Sequence, residues 1–170
     1  MSLELRDSCI HGKGVFITKP VRKHSIICKV AIVRTVTENR PLDASKGELL
    51  HHCHWHPDGE MILLDEPFCY FNHSCQPNMF YYTVNRPIYC LAMHDIAENE
   101  ELTLDYSLCN MGGREWDCHC GSANCRGRHR CGFRYLEHTR QIHYLPYLDP
   151  FIVAVHSDTI QEILERDLLG

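Results

Sequence analysis

A mainly β fold with a few short helices is the class this sequence predicts, on three observations. Six short runs rich in β-branched and aromatic residues, bounded by turn residues, fill the first two thirds of the chain. Helical periodicity is confined to the C-terminal end, where Ile160, Ile163, Leu164 and Leu168 fall on one face. At 170 residues the chain is long enough for one well-buried core and too short for two full ones.

In chain order, Val15 to Thr18 reads as the first strand and Ser25 to Val33 as a longer one. Ser45, with Glu48 three residues on, has capping-box spacing and predicts a short helix over 46 to 53. Met61 to Asp65 is the next strand. Met79 to Val84 and Ile88 to Met93 flank Asn85-Arg86-Pro87, a hairpin turn, and Glu101 to Leu104 closes the series. Asp149-Pro150 starts a helix, since Pro is tolerated at the first helical position. Ser157 can cap the last helix, whose apolar face then packs on the sheet core.

The longest apolar runs, Ile88 to Met93 and Phe151 to Val155, fall far below the roughly 18 residues a bilayer-spanning helix needs, so no membrane partner is expected. Met1 to Gly12 has no apolar signal region, which predicts an intracellular protein. No repeat or low-complexity stretch is visible.

Charge alternates in blocks. Residues 1 to 40 carry eight Lys/Arg against three Asp/Glu, and residues 41 to 105 carry two against eleven. No long basic tract points to direct nucleic-acid binding. The acidic block, notably Asp95, Glu98, Glu100 and Glu101, predicts a groove for a basic peptide.

Eleven cysteines without a secretory signal argue for thiols and metal ligation rather than disulfides. Cys118, Cys120 and Cys125 lie within eight residues, with Gly121 and Asn124 able to make the tight turns that point sulfurs inward. Zinc takes four Cys or His ligands in a tetrahedron. The fourth comes from Cys131, His119, His129 or a distant thiol such as Cys75. His51, His52, His54 and His56 are too close in sequence to converge on one ion.

Four stretches in order carry a family pattern: His11-Gly12-Lys13-Gly14-Val15-Phe16, Asn72-His73-Ser74-Cys75-Gln76-Pro77-Asn78, Glu101-Leu102-Thr103-Leu104-Asp105-Tyr106, and Trp116 to Gly127. Together they resemble a SET-domain protein lysine methyltransferase with its post-SET zinc segment. The resemblance implies a SET-type β-clip pseudoknot, with residues 1–107 as the SET domain, 114–131 as the zinc segment and 132–170 as a helical C-terminal extension. It implies Cys75 as the fourth ligand beside Cys118, Cys120 and Cys125. It implies S-adenosyl-L-methionine as methyl donor, bound by Lys13, Gly14, Asn72, His73, Tyr106 and Trp116, and Tyr106 as the catalytic tyrosine aligning a lysine amine. The partner it implies is a basic protein or peptide, histone-like tails being the family's usual substrates.

The sequence departs from the family pattern in places. Cys69 stands where many members have Arg, and Asn99 replaces a turn glycine, a mild change because Asn tolerates the left-handed conformation. Leu104 occupies a position where Phe or Tyr commonly limits the number of methyl groups. Two other readings compete: a catalytically silent, zinc-stapled interaction module, and a zinc hydrolase. Four thiolate ligands leave no open coordination position for the latter.

Overall fold

The structure is a computed structural model that describes residues 2–109 and 113–168, with the backbone alone at Asp167 and Leu168. Twelve short strands precede three helices among the described residues. β1 (Leu3–Asp7) and β2 (Lys13–Ile17) form an antiparallel hairpin with Leu5 opposite Val15. β3 (Ile26–Lys29) and β4 (Ile32–Val36) follow, then β5 (Cys53–Trp55), β6 (Met61–Leu64), β7 (Asn72–His73), β8 (Met79–Thr83), β9 (Ile88–Ala92) and β10 (Thr103–Leu104). Two three-stranded antiparallel sheets result, in the orders β3-β9-β8 and β4-β6-β5. Their inner faces share one core in which Val15, Ile62, Met79, Ile88 and Leu102 are fully buried.

The predicted strand over 25 to 33 is broken in two because the chain changes partners there. The Val30 N–H still donates to Ile88, while the Ala31 carbonyl already accepts from Asp65, at the end of β6. The predicted helix over 46 to 53 does not form as one element: a 3-10 turn at Leu50–His52 lies within it and another ends at its start. Asp43, not Ser45, caps a single 3-10 turn at Ala44–Lys46, and Gly47 ends it at φ +76°. The Glu48 carboxylate reaches back to the Asp43 N–H at 2.8 Å and pairs with Arg34, so the box closes around Asp43 and the helix never propagates. The Asn85 turn is as expected, at φ +56°, and joins β8 to β9 in register; Asn99 is likewise left-handed at φ +68°.

The predicted strand at 101 to 104 is reduced to β10, which runs parallel to β7 with Thr103 opposite Asn72 and Leu104 opposite His73. This crossing brings a segment about thirty residues downstream alongside the Asn72 to Asn78 loop, and the Ser74 N–H donates to the Leu104 carbonyl at 2.9 Å. β11 (Glu115–Asp117) and β12 (Arg128–Arg130) form an outlying hairpin that frames the cysteine segment.

α1 (His138–Tyr144), α2 (Pro150–Val155) and α3 (Ser157–Leu168) build a second core, in which Phe133, Tyr144, Ile152 and Ile163 pack on Phe80 and Met93. The Asp149 carboxylate caps α2 through the Phe151 N–H and also accepts from the Thr83 N–H, fastening the helical layer to the end of β8. The apolar face of α3 is narrower than predicted: Ile163 is buried but Leu164 is exposed, and the side chain of Leu168 lies outside the described residues. No described helix is long and apolar enough to cross a membrane.

Candidate functional site

The crossing of β7 and β10 ends in Asp105, a buried carboxylate with several partners. Oδ1 accepts from the Ser107 N–H at 3.0 Å and from Arg126 Nη2 at 2.9 Å, and Oδ2 accepts from the Tyr144 hydroxyl at 3.3 Å. The first of these caps the 3-10 turn Tyr106–Leu108 and fixes where Tyr106 leaves the chain. The Tyr106 N–H donates to Nδ1 of His73 at 3.2 Å, and its hydroxyl donates to the Phe71 carbonyl at 2.7 Å. Burial raises the phenol well above its ordinary value, so Tyr106 is neutral. With its proton on Phe71, the oxygen keeps its lone pairs for an incoming donor.

Tyr106 borders a cleft of about 670 Å³, whose lining includes Leu104, Phe71, Tyr81, His54 and Trp116. The ring of Trp116 lies 6.0 Å from Tyr106, 5.9 Å from His73 and 4.3 Å from His129, and the two imidazoles are 4.2 Å apart. These rings form one aromatic wall, of which Trp116 and Tyr106 face the cleft and offer a flat ligand an orientable surface, while the imidazoles of His73 and His129 are buried behind them.

Burial holds His54 and His73 down to about 4 and His129 to about 3, against an ordinary value near 6.5. Between pH 6.5 and about 4 the unfolded chain therefore binds protons that the folded chain refuses, so stability falls as pH falls through that window. Calorimetry should show the melting temperature dropping by several degrees from pH 7 to pH 5. An unchanged melting temperature would contradict the neutral, buried imidazoles.

The remaining sequence-predicted cofactor residues meet the site indirectly. Asn72 spends its side-chain amide on the carbonyls of His11 and Lys13 and on Glu101, at 3.2, 2.9 and 2.8 Å, and so shapes the strand that leads to the cleft. Lys13 is exposed and paired with Asp7 at 2.7 Å. Gly14 is buried, and its need for glycine is set by the protein itself: a Cβ there would stand 2.2 Å from the Glu101 carboxylate.

The four sulfurs of Cys75, Cys118, Cys120 and Cys125 lie within 4.8 Å of one another. Backbone amides already point at them: Cys75 N donates to the Cys120 sulfur and Arg126 N to the Cys75 sulfur, both at 3.4 Å. Burial opposes the Cys120 thiolate, yet the Cys75 amide, the Ser122 hydroxyl and amide, and the Cys125 thiol together bring it down to about 6. Beside the cluster, Arg126 leaves Nε and Nη1 buried without a partner. A divalent ion on four thiolates carries a net charge of minus two and would offset that guanidinium, so the donor set fits such an ion.

Cys131, the runner-up ligand, stands outside this group and faces His129 at 3.7 Å. His129, also a candidate ligand, instead joins the aromatic wall. It forms a second donor trio with His73 and Cys75, but Arg126 Nη2 lies 2.6 Å from its Nδ1 and sets a fixed positive charge against a second cation. The histidines at 51 to 56 form no donor group among the described residues.

Arg126, the bracing role of Glu101 and the wall role of His129 escaped the sequence reading. The Arg-Gly step after Cys125 was the visible signal for the first; nothing local marks the others. None of the four carboxylates expected to form an acidic groove, Asp95, Glu98, Glu100 and Glu101, lines the cleft, and three of them are engaged elsewhere. Glu101 accepts from Ser8 and Asn72, Glu100 from Asn78, and Asp95 from the Lys23 N–H. These carboxylates knit loops together instead of facing the cleft.

Similarity to known proteins runs the same way. The family profile described as SET domain matches residues 12–107, more than half of the chain. Histone-lysine N-methyltransferase 2D of Homo sapiens is 29% identical over 133 residues, which is 72% of this chain and 2% of the relative. An H3 lysine-4 specific histone-lysine N-methyltransferase of Emericella nidulans is 40% identical over 68 residues, 34% of this chain and 5% of the relative. The chain thus spans a few per cent of the length of these curated relatives. A crystal structure of a candidate histone methyltransferase from Plasmodium falciparum has a TM-score of 0.50 at 19% identity, covering 62% of this chain and 92% of that one, a likeness of fold.

Proposed function

Because the chain belongs to the SET-domain family, we propose that it is a protein-lysine N-methyltransferase that uses S-adenosylmethionine and carries one structural zinc ion. The observation that supports this most is the meeting of Tyr106 and Trp116, backed by the buried ring of His73, at one cleft whose wall includes Leu104. S-adenosylmethionine would supply a methyl group on a sulfonium, open to in-line displacement. The tasks left to the protein are orientation, a neutral amine and exclusion of water.

A free lysine has a pKa near 10.4, so holding it neutral at pH 7 costs about 4 to 5 kcal/mol, at about 1.36 kcal/mol per unit. The apolar side chains of Leu104, Phe71 and Tyr81 would lower that cost by disfavouring the ammonium. The Tyr106 oxygen would align the amine through its lone pairs, acting by position and field rather than as a nucleophile. Trp116 and His73 would pack on the donor, and Asn72 would keep the strand of Lys13 and Gly14 in place beside it. Cys75, Cys118, Cys120 and Cys125 would hold the zinc, which fixes the segment bearing Trp116.

The substrate proposed is a lysine in a protein, with histone tails first in line because the relatives are named for them. The silent interaction module would be favoured by a lost tyrosine or a broken Asn-His pair, and Tyr106, Asn72 and His73 are all in place. Isothermal titration with S-adenosylmethionine, and mass spectrometry of core histones incubated with it, test the reading. Saturable binding with added methyl mass on lysine is the expected result; binding without transfer to any histone or basic peptide would move the chain to the silent class.

The same spectra read product number. Leu104 lines the cleft and brings no hydroxyl of its own to hold a water, Phe71 and Tyr81 line it as well, and Tyr82 points outward. Di- or trimethyl product is expected, and Leu104→Tyr should shift it toward monomethyl. Arrest at one methyl in the wild type would refute the assignment.

A further inference from the structure

Past residue 107 the chain lies beyond the family match, yet the first helix there reaches the cysteine cluster. Arg140 and Tyr144 stand one turn apart on the same face of α1. Arg140 donates through Nη1 to the Cys75 carbonyl at 3.0 Å and through Nη2 to the Asn124 carbonyl at 2.9 Å. Those carbonyls belong to different ligand loops: Cys75 comes from the loop after β7, and Asn124 directly precedes Cys125. One guanidinium therefore sets the spacing between the two halves of the cluster. The Tyr144 hydroxyl lies 3.5 Å from the same Cys75 carbonyl and 3.3 Å from Asp105.

The helix itself is held independently of the sulfurs. Gln141 donates to the Phe133 carbonyl at 3.2 Å, and Tyr144 and Phe133 pack with Phe80 and Met93 of the main body. So the body holds α1, and α1 holds both ligand loops. The pairing of two carbonyls with one side chain suits the planar fork of arginine and not the single ammonium of lysine.

We infer that Arg140 is a positioning residue of the metal centre, tying the Cys75 loop to the Cys125 loop so that retention of the ion depends on the C-terminal helical segment. The inference rests on the cluster being a resident zinc site, and not on methyl transfer.

The test uses the full zinc-loaded chain and follows release of zinc to the chromogenic chelator 4-(2-pyridylazo)resorcinol. Arg140→Ala should release zinc on the order of tenfold faster, the lower end of what outer partners of metal ligands carry. Arg140→Lys, able to reach one carbonyl, should fall between that variant and the wild type. Leu148→Ala is the control for mere loss of stability, because Leu148 is buried in the same helical core but bonds neither ligand loop; it should lower the melting temperature and leave the release rate alone. Release from Arg140→Ala at the wild-type rate overturns the inference. So does equal acceleration by Leu148→Ala. Should Arg140→Ala not fold, Arg140→Lys decides: faster release supports the tie and an unchanged rate removes it. Fresh wild-type protein without zinc removes premise and inference together. Absence of methyl transfer with these release rates intact would count against the proposed activity alone.

Discussion

Tyr106→Phe is expected to lower turnover by about a hundredfold or more while leaving S-adenosylmethionine binding within a few-fold, the range set by removing one placed polar group from a reacting centre. The hydroxyl is the only part lost, and the ring keeps its place beside His73 and Trp116. The Phe71 carbonyl loses its donor, but that carbonyl borders an open cleft where water can replace the bond. The split between turnover and binding is what identifies the role. Single-turnover methyl transfer and calorimetric binding on the same sample measure it. A variant that turns over normally would strip Tyr106 of its part, and one that loses cofactor affinity to the same extent would make it a packing residue.

Cys120→Ser is expected to remove most of the bound zinc, expose residues 113 to 131 to hydrogen exchange and cut activity about as far, while the β core stays folded. One thiolate of four is lost from a cluster whose ion would bring together sulfurs from chain segments more than forty residues apart. With that clasp open, β11 and its Trp116 lose the support that faces them toward His73. The main core lies in a separate cluster of side chains, so its protection from exchange should change little. Cys131→Ser supplies the contrast. Its sulfur lies outside the group of four, and zinc content by elemental analysis should remain at one per chain. Equal loss from both variants would mean that the ligand set is wrong.

Much of the architecture was legible in the sequence because it is written in local chemistry. Asn85 tolerates a left-handed turn, Asp149-Pro150 starts a helix, and β-branched runs alternate with turn residues, so the Met79 to Met93 hairpin and the helical end could be placed from neighbours alone. Two local signals misled. Glu48 made the capping bond that its spacing promised, but with Asp43 and Arg34, partners that depend on the fold around them. Acidic composition suggested a groove, whereas Glu100 and Glu101 are turned onto Asn78 and Asn72 by a crossing that composition does not encode. The parallel pair β7 and β10 could be expected only through family resemblance, since a two-residue strand has no periodicity to read. Arg140 was invisible too: one guanidinium on a short helix says nothing of the two carbonyls it will meet.

The knot of bonds around Glu101 bears on the life of the chain before it is a protein. Ser8, Gly14 and Asn72 all press on that one carboxylate, the first across 93 residues. Such distant closures come late, because the entropy of the intervening loop must be lost before any contact offsets it. A nascent chain emerging from the ribosome can build its β1-β2 and β8-β9 hairpins early, but the side of the Lys13 and Gly14 strand that meets Glu101 stays open until residue 101 is out, and the segment bearing Trp116 has no sulfur clasp until the cysteines follow. Closure around Glu101 and completion of the cleft thus follow the local hairpins rather than accompany them.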